Sequence, residues 1–69
     1  MSPVTRLDIR AKIGEIAEIM HDDENAHSRE DDLYEFVLKT IASGNTDDVK
    51  GLCLEALKTK KMDFDRWCA

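Results

Sequence analysis

Proline is almost missing from this sequence: Pro3 is its single occurrence and lies ahead of every candidate helix, so no interior segment is barred from helical structure. Alternating apolar–polar runs, which mark half-buried strands, are also missing. No apolar stretch approaches the roughly 20 residues a membrane-spanning helix needs. The opening Met-Ser-Pro-Val-Thr-Arg has no apolar signal-peptide core, which makes the cytoplasm the expected location. Cysteine is limited to Cys53 and Cys68, expected there as reduced thiols that would pair only if the tail folded back on the third helix. Basic residues are in the minority, ten against fifteen acidic ones, for a net charge of −5. That balance disfavours nucleic acid and anionic membranes as partners and suits a basic protein surface.

What is present is 42% apolar and 36% charged, the composition of a small helical domain with a wet surface. The length of 69 residues allows one domain over 1–69, of marginal stability and with little depth for an enzyme cleft. The fold class expected is all-α: a small antiparallel three-helix unit with a short C-terminal helical turn.

The first helix is predicted over about 5–20. Thr5-Arg6-Leu7-Asp8 is a capping pattern, and Ile9, Ile13, Ile16 and Met20 follow on one stripe. Arg10, Lys12, Glu15 and Glu18 read as solvated, and Gly14 as a weak spot or a close helix–helix approach. The polar segment His21 to Ser28 reads as a connector, because Ser28-Arg29-Glu30-Asp31 offers a second capping pattern. The second helix is then expected over about 29–43, with Leu33, Val37 and Ile41 inward, Tyr34, Phe36 and Leu38 widening its apolar face, and Gly44 ending it. Asn45 or Thr46 caps a third helix over about 46–60, with Val49, Leu52, Cys53, Ala56 and Leu57 as its stripe, Gly51 as a second weak point and Lys58, Lys60 and Lys61 at its end. A turn over 63–67 would fold Phe64 and Trp67 onto the core. The predicted core is Ile9, Ile13, Ile16, Met20, Leu33, Val37, Ile41, Leu52, Ala56, Leu57, Phe64 and Trp67.

Charge is polarised along the chain: −6 from His21 to Glu35 and +3 from Val49 to Lys61. The plain reading of the acids is a solvated connector followed by a helix start. The functional reading is an acidic face of Asp22, Asp23, Glu24, Glu30, Asp31 and Asp32 that docks on a basic surface, beside an apolar patch of Tyr34, Phe36 and Leu38.

Other chemistry is weaker. Asp23, His27 and Asp31, with His21 near, would make a partial metal site on a continuous helix, but the connector breaks it, and His21 and His27 lack the H-E-x-x-H spacing. His21-Asp22 matches the His-Asp pair of metal-dependent phosphohydrolases only as a dipeptide. Glu15 and Glu18, facing Asp32 and Glu35, would suit the magnesium of an all-helical nucleotide pyrophosphohydrolase. A helix-turn-helix reading of Ser43 to Thr46 would open its reading helix with Asp47 and Asp48, which repel phosphate. Neither cysteine has a base in sight.

The run Asp31-Asp32-Leu33-Tyr34-Glu35-Phe36-Val37-Leu38, then Ala56-Leu57-Lys58-Thr59, then Asp63-Phe64-Asp65-Arg66-Trp67 resembles short uncharacterised proteins of actinobacterial bacteriophages. The likeness covers most of the chain from the first helix onward. It implies a phage origin, the host cytoplasm as location and a host or defence protein as target, and it brings no catalytic residue or substrate. The sequence therefore points to a non-enzymatic protein-binding module with no catalytic residue, metal or cofactor. The alternatives are the magnesium-dependent hydrolase and a self-associating assembly protein, a homodimer being the simplest form.

Overall fold

A computed structural model describes residues 3–62 and 64. Three α-helices, α1 (Arg6–Glu18), α2 (Asp23–Ser43) and α3 (Val49–Leu57), are followed by a 3₁₀ turn, Lys58–Lys61. No strand occurs among the described residues, and the chain is the small all-α three-helix unit expected. The helices run up, down and up. Arg6 and Arg10 of α1 reach Asp48 at the start of α3 and Glu55 in its last turn. Tyr34, midway along α2, hydrogen-bonds Thr59 just beyond the end of α3.

Local chemistry sets the ends. The Asp8 carboxylate accepts the Thr5 backbone N–H at 2.8 Å, so the first capping pattern is realised. Helix α2 starts six residues before its expected beginning at Arg29, which corrects the connector assigned to 21–28. Asp22 is its N-cap, accepting the Asn25 backbone N–H at 3.2 Å and the Asn25 side-chain amide at 2.7 Å. Asp23 and Glu24 then sit in the first turn, where the helix dipole favours them. Ser28 is an exposed residue inside the helix. Gly44 ends α2 with φ 72°. Its N–H donates to Ile41 O and that of Asn45 to Thr40 O, a Schellman closure that needs the left-handed glycine.

Helix α3 begins later than expected. Asp48 caps it, accepting the Gly51 N–H at 3.1 Å. Thr46, expected as cap, instead donates its hydroxyl to Val4 O at 2.8 Å and accepts the Asp48 N–H. The entry to α1 is thereby tied to the α2–α3 loop, together with Val4 N–H to Asn45 O.

Ile9, Ile16, Ala26, Leu33, Val37, Leu52, Ala56 and Phe64 form the buried core, with Ile13, Met20 and Ile41 packed against it. Leu57 is a correction: it is 56% exposed, because the inward face of α3 and the turn is carried by Leu52, Glu55, Ala56 and Thr59. Phe64 is buried as expected; Trp67, the rest of the 63–67 turn and Cys68 lie outside the described residues. The acids and arginines between α1 and α3 are not merely solvated. Arg6 Nε lies 2.6 Å from Asp48, Arg10 Nη2 lies 3.1 Å from Glu55, and Lys58 Nζ reaches the same Glu55 oxygen at 2.8 Å.

Candidate protein-docking surface

On α2, residues 26, 30, 33, 37 and 40 turn inward, and this register distributes every other side chain of the helix. Glu30 is 1% exposed; it belongs to the interior and leaves the acidic face predicted for it. Asp22 spends its carboxylate on the cap. Asp32 turns toward α1, lining a cleft of about 180 Å³ with Lys12, Glu15, Ile16, Arg29 and Leu33. Asp22, Asp23, Glu24, Asp31 and Asp32 are all exposed; Glu30 is not. The six acids therefore do not share one surface.

The expected apolar patch divides in the same way. Phe36 faces α1, with Lys12 Nζ 4.4 Å from its ring centroid. Tyr34 and Leu38 face α3, because residues two apart on a helix point in different directions and residues four apart do not. With Val37 they form one wall of an apolar groove of about 340 Å³, whose other wall is Cys53, Ala56 and Leu57. Of this wall, Leu57 is the residue expected in the core; Cys53, on the same predicted stripe, is half-buried and packs against the core. Leu54, also on α3, is exposed. The available signal was the apolar excess of Val49-Lys-Gly-Leu-Cys-Leu-Glu-Ala-Leu57, richer than a single buried stripe requires.

The groove has a fixed rim. The Tyr34 hydroxyl is hydrogen-bonded to Thr59 Oγ1, and Lys60 Nζ lies 5.6 Å from the Tyr34 ring centroid. Because α2 is continuous, Asp23, His27, Asp31, Tyr34 and Leu38 follow one another along one stripe of it. His27 Nε2 stands 3.5 Å from Asp31 Oδ2. An acidic segment thus runs directly into the apolar groove.

The alternative chemistries gain little from this placement. Among the described residues no three His, Cys, Asp or Glu side chains are grouped to hold a metal. Glu15 and Asp32 do share the α1–α2 cleft, but Lys12 and Arg29 line it too and oppose a second cation. Glu35 is instead paired to Lys39 at 2.7 Å, which lowers its pKa, and Asp48 is held to Arg6, which lowers its own. No helix of the described residues is long and apolar enough to cross a membrane.

Fold and surface together define a class: a three-helix unit whose described residues leave an apolar groove open between α2 and α3, flanked by charge. Comparison with known proteins finds no matching family model, no matching curated protein and no matching solved structure.

Proposed function

We propose that this chain is a non-enzymatic protein-binding module that docks through its α2–α3 face. The observation carrying this reading is the groove itself, with Leu38 and Leu57 standing 67% and 56% exposed on its opposite walls. Large aliphatic side chains left in water on facing helices mark a surface meant to be covered. The fixed Tyr34 rim supports it, since a rigid aromatic anchor loses little entropy on binding. Asp31, on the same stripe of α2, adds charge for orientation. The resemblance to actinobacteriophage proteins supports a host or defence protein as target and the host cytoplasm as the setting.

The test is capture from an actinobacterial lysate with three baits: wild type, Leu38→Gln/Leu57→Gln, and Lys12→Ala/Asp32→Asn as a control on the other cleft. A target retained by wild type and control but lost by the groove variant is the expected result. A target held equally by all three would remove the groove from the function.

A further inference from the structure

A groove left open by the described residues is covered best by a surface that matches both its shape and its charge. Its two flanks differ in sign at the same end. On the α2 side Asp31 sits one turn before Tyr34, its side chain 65% exposed. On the α3 side Lys60 follows the helix and lies over the Tyr34 ring. Lys58 is committed to Glu55 and Glu35 to Lys39, so among the described residues the charge left at that end is Asp31, which His27 approaches at 3.5 Å, on one flank and Lys60, with the exposed Lys61 beside it, on the other. A two-fold axis running along the groove keeps the ends together and exchanges the sides. It lays α2 of one molecule over α3 of another, Asp31 over the other copy's lysine, and Leu38 over the Cys53–Leu57 wall. This is the self-complementarity an isologous interface requires. The result is a four-helix layer with its apolar seam inside and opposite charges at its edges.

Resting on the reading of the α2–α3 face as a protein-docking surface, we infer that a second copy of this chain occupies the groove in the purified protein, in this register. The other ways of covering it fit less well. Among the described residues there is no strand edge to extend, and a proline-rich ligand needs several aromatic rings where the described lining of this groove has Tyr34 alone. Two chains of net charge −5 repel at long range, so the dimer is weak and strengthens with salt, while the local Asp31–Lys60 contacts set its register.

The test is sedimentation equilibrium up to millimolar concentration on wild type, Asp31→Lys, Lys60→Asp, the double swap, and Leu57→Gln, each checked for helicity. Wild type is expected to dimerise. Each single swap should weaken the dimer about tenfold over its two symmetry-related contacts, and the double swap should return it to near wild type. Leu57→Gln, altering a half-exposed side chain, should stay folded and become monomeric. A wild type monomeric throughout overturns the proposal, and so does a dimer indifferent to Leu57→Gln or a double swap no better than the singles. If the wild type is monomeric yet the lysate target is still lost on mutating the groove, the second copy is wrong and the docking surface stands. If the groove variants change neither measurement, both fail.

Discussion

On one side of α3, Asp48 and Glu55 take the guanidinium groups of Arg6 and Arg10 across from α1; on the other, Cys53 and Leu57 face Tyr34 and Leu38 across an apolar groove. The first side is closed and polar at its edge, the second open and apolar. Nine residues of helix are too few to hold together in water, so α3 depends on what it packs against. Its inward residues Leu52 and Ala56 and the pairs to α1 fix it in place. Its outer flank is then free to carry aliphatic side chains that the fold itself does not need.

The strongest test of that contrast uses the same substitution on both sides. Leu52→Ala, at a position with no exposure, is expected to cost about 3 kcal/mol, cavity included, most of the stability of so small a domain. Leu57→Ala, at 56% exposure, should stay within about 0.5 kcal/mol. Urea unfolding of both, at concentrations too low for association, measures the difference. Equal losses would mean that the groove is ordinary core and the two sides are alike.

The next effect separates the sides by pH. Hydrogen bonds from Arg10 and then Lys58 lower the Glu55 pKa from 4.5 to about 2, against the opposing effect of its burial. A carboxylate whose pKa is lower folded than unfolded stabilises fully above the unfolded value and ceases to do so as pH falls through the folded one. Stability should therefore decline as pH falls from about 4.5 toward 2. Glu55→Gln should lower Tm by several degrees at neutral pH, with the deficit shrinking across that window. Leu57→Gln, on the open side, should follow the wild-type pH profile. A Glu55→Gln deficit that did not change with pH would show the pairs to be incidental to the closed side.

What the sequence made legible divides along the same line. The Thr5 cap, the Ile9–Ile13–Ile16 stripe and the Gly44 stop are local, large or conformationally unique, and each was readable. The early start of α2 was not. Its inward stripe is Ala26, Glu30, Leu33, Val37 and Thr40, and three of those five are small or polar, so the hydrophobic period becomes visible only at Leu33. Ser28 then offered a competing cap that tertiary packing overrode. Tyr34 and Leu38 were legible as surface candidates, whereas Phe36 was grouped with them by adjacency although a helix turns it toward α1. The partners of Glu55 were out of reach, because Arg10 lies 45 residues away in the chain and only the folded arrangement joins them.

The two helical glycines supply the smallest and most local test: of the two readings open for Gly14 the structure keeps the weak spot, and the close approach falls at Gly51 instead. Gly14, a candidate for close helix approach, has nothing within 4 Å of where a Cβ would stand. Gly51, read only as a weak point, is the close approach: a Cβ there would collide with the Asp48 carboxylate and with Arg6 Nε, the two groups that hold the start of α3 to α1. Gly51→Ala should therefore lower Tm by a few degrees by pushing Asp48 off both its cap and its arginine, and the penalty should shrink in an Asp48→Ala background where that carboxylate is already gone. Gly14→Ala should do the opposite. With open space around it and ordinary helical backbone, an alanine there removes unfolded-state entropy and adds about 0.5–1 kcal/mol of stability. A loss at Gly14 would mean that the exposed face of α1 is itself in contact with something, and α3 would no longer be the element whose two sides differ most.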